Sequence, residues 1–334
     1  MSQIRNTLKK VGINTFFFLL IGMIVLAKFF PSLGTSNGPL PLKEITAVGI
    51  SVIFFFYGVK LSPQKLKEGL RNWKLHVLIQ TTTFLIFPIV ILLLYQVFGN
   101  DENYFWLGTF YLAALPSTVS SSVVMVSIAK GNLPAAIFNA SISSMVGIFI
   151  TPIWMDVMLP DTAVSFDLTE TFIKLSLQVL FPVIIGLFLH SRLISFVNTH
   201  AKTLKNFDQG IILLIIFTAF AESFAEKMFE GHSATSIVGL GALMLLLFIL
   251  MALAMWGLSR VLKFSREDTI TVIFCGSKKS LVQGAVMGRV MFPDPVIFGL
   301  ILLPLMIYHA LQLMAGSALA QRLAIGEEKQ GVEV

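Results

Sequence analysis

Apolar residues run along this chain in long stretches with no alternation, broken only by short polar clusters. That pattern suits helices surrounded by lipid and by one another, because a water-facing helix or strand would show polar positions every 3.6 or 2 residues. About 20 residues are needed to cross roughly 30 Å of hydrocarbon, and a window of about 19 resolves ten spans. They cover residues 14–30, 45–59, 75–98, 104–129, 133–158, 171–190, 207–228, 236–258, 269–292 and 296–320. Two spans are interrupted in mid-course, the fourth by Pro116-Ser117-Thr118-Val119-Ser120-Ser121-Ser122 and the ninth by Phe274-Cys275-Gly276-Ser277-Lys278-Lys279-Ser280. Pro116 removes an amide donor and clashes with the preceding turn, while Gly276 permits unusual backbone angles and Ser277 and Ser280 offer caps. The expected fold is all-α: a polytopic membrane protein of ten transmembrane helices, with helices 4 and 9 discontinuous.

Composition agrees with this class. Of 334 residues 56% are hydrophobic and 13% charged, against about a quarter charged in soluble domains. The net charge of +6 is spread in short basic clusters between apolar runs, which fits loops at an anionic membrane surface and not a nucleic-acid site. With the N-terminus inside, the cytoplasmic segments carry Arg5, Lys9 and Lys10, then Lys60, Lys65, Lys67, Arg71 and Lys74, then Lys130, Arg192, Lys202, Lys205, Arg260, Lys263, Arg266, Arg322 and Lys329. The opposite side holds fewer basic residues, Lys28, Lys43, Lys174, Lys227 and Arg289, together with Asp101, Glu102, Asp156, Asp161, Asp167 and Glu170. The positive-inside rule then places a multi-pass protein in the plasma (inner) membrane with both termini cytoplasmic. The first span has the look of a signal peptide but lacks a small-x-small cleavage site, so it is read as a retained helix. Five spans that begin inside end outside. The second five are therefore inverted, giving repeats over 1–158 and 159–322 and a polar tail over 323–334. One cysteine, Cys275, and five scattered histidines offer neither a disulfide nor a metal cage, and no Walker stretch, Ser/His pair or paired aspartates suggest an enzyme or a cofactor.

Charge at bilayer depth costs about 2.5 to 3.5 kcal/mol per lysine on insertion scales, so Lys278 and Lys279 mark a site. On an intact helix adjacent residues diverge by about 100°. One lysine is therefore expected to tie carbonyls or an acid while the other faces a ligand. With Ser277 and Ser280 from the ninth span and Ser117, Thr118, Ser121 and Ser122 from the fourth, they would line a positive cavity for a small or amphipathic organic anion. Half-helix N-termini would add partial positive charge. The bland alternative is that the serines only allow close helix packing. Glu222 is read either as a partner of the lysines or as reaching the interface beside Glu226, and His309, beside Tyr308 and near Gln312, as a hydrogen-bonded packing residue. A secondary carrier is the leading reading, with a channel or membrane sensor as the alternative.

Three stretches, Phe274-Cys275-Gly276-Ser277-Lys278-Lys279-Ser280-Leu281, Leu303-Pro304-Leu305-Met306-Ile307-Tyr308-His309 and Leu115-Pro116-Ser117-Thr118 with Ala129-Lys130-Gly131-Asn132, resemble the bile acid:sodium symporter family, most closely its bacterial SBF-like branch. The resemblance covers nearly the whole chain. It implies a panel and a core domain, each drawn from both repeats, and exchange of a substrate crevice between the two sides with sodium as the coupling ion. It also implies ion ligands at or near Ser121, Ser122, Thr83, Gln80 and Ser141, and a substrate contact at Asn139. The family's Glu two positions before the glycine and Gln two positions after it read here as Phe274 and Lys278. A lysine ammonium standing where a cation would sit points to the alternative of a sodium-independent or proton-coupled anion carrier.

Overall fold

Away from water only a helix satisfies its own backbone within one segment, and every regular element among the described residues is helical. The computed structural model describes residues 15–35, 38–61, 72–99, 104–158, 168–227, 234–292 and 294–330. The loop charges Arg5, Lys9, Lys10, Lys65, Lys67, Arg71, Asp101, Glu102, Asp161 and Asp167 lie outside them.

The order is α1 (Thr15–Phe29), α2 (Leu42–Lys60), α3 (Trp73–Phe98), the half-helices α4 (Tyr104–Ala114) and α5 (Ser120–Ile128), and α6 (Leu133–Met158). Next come α7 (Leu168–Leu175, continuing through a π turn at Ser176–Leu180 into Phe181–Phe188), α8 (His190–Thr199), α9 (Ala201–Ala225) and α10 (Ala234–Val261). The half-helices α11 (Arg266–Gly276) and α12 (Leu281–Met291) and the long α13 (Pro295–Gln330) complete the chain. α13 carries on as far as Gln330, through residues expected to form a polar tail.

Among the described residues six helices, α2, α3, α6, α9, α10 and α13, are long and apolar enough to cross a membrane. A seventh crossing is made if α7 and α8, which meet at 98°, form one span. Hydropathy gives ten because it reads through two features that length does not. α1 is short, and the interrupted spans are split into halves of 11 and 9 residues and of 11 and 11 residues. In α10 only 28% of the most apolar stretch is buried, and Val238, Leu246, Leu250 and Leu253 point outward. An apolar face of that extent belongs in lipid. The chain is a multi-pass membrane protein.

The helices pack in two groups. α2 lies against α7 and α9, and α9 against α1; elsewhere α13 packs on α4, α5 and α10, and α11 sits among α3, α5, α6 and α10. α13 and α12 also meet α9, which joins the groups. Gly58 and Gly186 sit at the α2–α7 crossing, where a Cβ on either would stand 2.1 Å from a backbone carbonyl oxygen of the other helix.

Candidate functional site

α4 stops at Ala114 because Pro116 has no amide hydrogen with which to extend it, and α5 restarts only at Ser120. Carbonyls at such an end need partners from elsewhere, and the fold supplies them. Leu115 N–H turns back to Leu112 O (3.2 Å), Thr151 Oγ1 donates to Ala114 O (2.9 Å), and Lys279 Nζ donates to Ala113 O (2.6 Å) and Leu115 O (2.8 Å). Ser117 N–H donates to Ser143 Oγ (2.9 Å). α6 comes this close because of Gly147, where a Cβ would stand 2.8–3.0 Å from three carbons of the Pro116 ring. Overpacking of this kind costs about 1–3 kcal/mol. Gly147→Ala is therefore expected to lower the melting temperature of the purified protein by several degrees, and unchanged melting would show that α6 does not buttress the break.

The second break is held from α13. Tyr308 Oη donates to Ser277 O (2.5 Å), and the Gln312 side chain clasps the Lys279 peptide, its Oε1 accepting the N–H (2.9 Å) and its Nε2 donating to the carbonyl (2.7 Å). These residues are four apart, on one face of the helix. His309 Nδ1 lies 3.0 Å from Gln312 Nε2. Ser280 caps α12, its Oγ accepting from Gln283 N (3.3 Å), and Ser277 Oγ donates to Ile273 O (2.7 Å). The expectation for Gly276 needs revision: its φ is not in the left-handed region, and its want of a Cβ makes room for Met255, whose Sδ would be 2.7 Å away.

The two breaks meet. Ser280 N–H donates to Pro116 O (3.0 Å), and Ser122 Oγ donates to Phe274 O (3.0 Å). A third irregularity joins them, the π turn at Thr82–Ile86 in α3, in which Phe87 N–H bonds to Thr82 O. The next donor in that register would serve Thr83 O, but it is Pro88, which has none. Lys279 Nζ takes that carbonyl instead (2.8 Å). Phe84 O, the acceptor Pro88 would have used in an α-helix, receives Trp154 Nε1 (2.6 Å).

The adjacent lysines, both 0% exposed, thus have opposite surroundings. Lys279 Nζ is ringed by the Thr83, Ala113 and Leu115 carbonyls, with the Phe87 ring centroid at 4.4 Å. Among the described residues the hydrogen-bond partners of Lys278 Nζ are Ser121 Oγ (3.2 Å) and the Met125 thioether sulfur (2.8 Å), and a thioether is a weak acceptor. Ser121 Oγ also lies 3.0 Å from Thr118 Oγ1. Lys279 is a saturated cation and Lys278 an under-partnered one.

The sequence matches the SBF-like CPA transporter family over residues 14–325. The chain belongs to that family. An uncharacterized protein of Pseudomonas aeruginosa is 36% identical over 93% of each chain. The Escherichia coli protein YfeH is 34% identical over 93% of this chain and 92% of its own, and the sodium/bile acid cotransporter 7 of Danio rerio is 33% identical over 89% of each.

The remaining candidates in this SBF-like chain fall in a second place. Asn139 bonds His76 (2.7 Å) and Ala135 O (3.0 Å) and accepts from Gln80 Nε2 (3.2 Å), joining α6 to α3. Ser141 Oγ bonds Ile137 O of its own helix (2.9 Å). Buried oxygens at Gln80 Oε1, Thr83 Oγ1, Ser117 Oγ and Gln283 Oε1 have no hydrogen-bond partner among the described residues. Glu222 lies on α9. With Thr218 and Arg289 it lines a cavity of about 360 Å³ beside the start of α2, and its charge acts on Arg289. Met125, Thr151 and Trp154 escaped the sequence reading, and Arg289 counts there only as an outer-side charge. Pro88 was the available signal for Trp154, since a proline inside a helix frees a carbonyl that must find a donor.

Proposed function

We propose that this chain is a secondary active carrier of a small or amphipathic organic anion, bound where the two broken helices meet. The single observation behind this reading is Lys278, a buried amine whose two hydrogen-bond partners among the described residues, a hydroxyl and a thioether, leave it short of a counter-charge. A carboxylate or sulfonate would supply one, within reach of Ser121 and Thr118. Ser117, Ser122, Ser277 and Ser280 shape the same crossing, and Asn139 lies one turn before Ser143 on the same face of α6. Discontinuous helices at the centre of a membrane protein are a recurring basis for substrate sites in carriers.

In this reading α1 and the two interrupted spans join the longer helices to make ten crossings, in inverted repeats over 1–158 and 159–322. The group α1, α2, α7 and α9 is the panel and the remainder the core, which moves against it. The protein sits in the plasma membrane with both termini cytoplasmic. The name of the Danio rerio relative brings bile acids forward as amphipathic probes and sodium as a coupling ion.

A second reading, transport without sodium or with protons, draws on the hydrogen bonds of the sodium candidates. Ser121 faces Lys278, Ser122 a backbone carbonyl, Gln80 an asparagine and Ser141 its own helix. They do not share one partner, and Thr83 lends its carbonyl to Lys279.

Purified protein would be melted in the presence of taurocholate, benzoate and 2-oxoglutarate, alongside Lys278→Ala and Lys279→Ala. A ligand at 100 times its Kd stabilises by about 2.7 kcal/mol. The expected result is an upward shift with one of these anions that is lost in Lys278→Ala; a shift that survives both substitutions would refute the site.

A further inference from the structure

The surroundings of Lys279 are those of a bound monovalent cation. Three backbone carbonyl oxygens converge on Nζ at 2.6–2.8 Å, an aromatic face covers it at 4.4 Å, and among the described residues no carboxylate pairs with it. A neutral amine has two N–H groups and a lone pair that would face a third carbonyl in repulsion. Three acceptors call for an ammonium, with three hydrogens. The oxygens come from two unrelated helices, and each is free for its own reason. Thr83 O lacks the donor that Pro88 cannot provide, and Ala113 O and Leu115 O stand at the broken end of α4, where the helix dipole is negative. The cage is thus a property of the backbone, built whether or not a lysine fills it.

We propose that these carbonyls form a monovalent-cation site which the chain keeps filled with its own ammonium, so that the protein needs no dissolved cation there and acquires such a need when the side chain is removed. The functional meaning of a built-in cation rests on the carrier reading; the site itself does not.

Lys279→Ala removes Cγ, Cδ, Cε and Nζ, which n-propylammonium restores atom for atom. Full-length purified Lys279→Ala would be melted in chloride salts of n-propylammonium, potassium, sodium and N-methylglucamine at equal ionic strength, with 1-propanol as the uncharged control. The expected result is a lowered melting temperature that climbs with n-propylammonium, and with potassium, an ion close to ammonium in size, but not with N-methylglucamine or 1-propanol. Wild type and Lys279→Met, whose cages are filled, respond to none. Lys279→Ser, which leaves the cage open and adds an oxygen ligand, repeats the measurement should the alanine variant fail to accumulate. No recovery of either small variant with any small cation would overturn the proposal, as would equal recovery of wild type by the same salts. Melting reads the cage whatever the protein carries, so loss of the carrier reading would leave this result in place, and failure here would leave that reading without its tethered cation.

Discussion

Lys279→Met is expected to be the most destabilising single substitution in the central region. Methionine nearly matches lysine in length, so the space stays filled while the charge and all three donors go. Each buried acceptor left without a partner costs about 1–3 kcal/mol, and the contact with Phe87 adds roughly 0.5–2 kcal/mol. Against this, the variant no longer buries a charge, which returns part of the loss. A net destabilisation of about 3–5 kcal/mol remains, or roughly 5–10 °C in melting temperature. Thermal melting of wild type and variant in the same detergent checks this. A variant that melts with the wild type would mean that the carbonyls around Nζ are satisfied without it.

The neighbouring position should behave in the opposite sense. Lys278→Met replaces a buried amine held by one hydroxyl and one sulfur with an apolar side chain of similar volume beside Met125. Exchanging a poorly compensated buried charge for good packing is often neutral or stabilising, by about 1–4 kcal/mol. The melting temperature is therefore expected to hold or rise. Binding of the anion loses the buried counter-charge it sits on, a change worth about 2–5 kcal/mol, so uptake at low substrate concentration falls roughly 30-fold or more. Stability and transport then move apart at one residue, as expected where a site keeps strain for function. A Lys278→Met protein that melts lower and transports normally would assign Lys278 to the scaffold.

Much of the fold was legible because lipid imposes so few solutions. Continuous apolar stretches must be helices, and the polar interruptions at Pro116 and Gly276 mark where helices end. The split in roles between two adjacent lysines was also open to sequence, since neighbours on a helix diverge; which lysine took which role was not. That choice depends on Pro88 freeing the carbonyl of Thr83 and on α3 lying where Lys279 can reach it, a matter of packing between helices nearly 200 residues apart. The clasp by Gln312 was foreshadowed only as a packing contact near His309. Arg289 and Glu222 come together through the approach of α9 to α12, which no local pattern announces. Gly276 was read through its backbone freedom, whereas its use is to admit the Met255 side chain.

The most direct test of the central proposal is uptake of radiolabelled taurocholate and benzoate into proteoliposomes holding wild-type protein, Lys278→Met or no protein. A carrier whose anion sits on Lys278 gives saturable uptake of at least one probe in wild type and roughly 3% of that rate or less at low concentration in Lys278→Met, with the variant fully folded. Saturable uptake that is equal in both proteins would contradict the assignment of the anion to the crossing of the two broken helices.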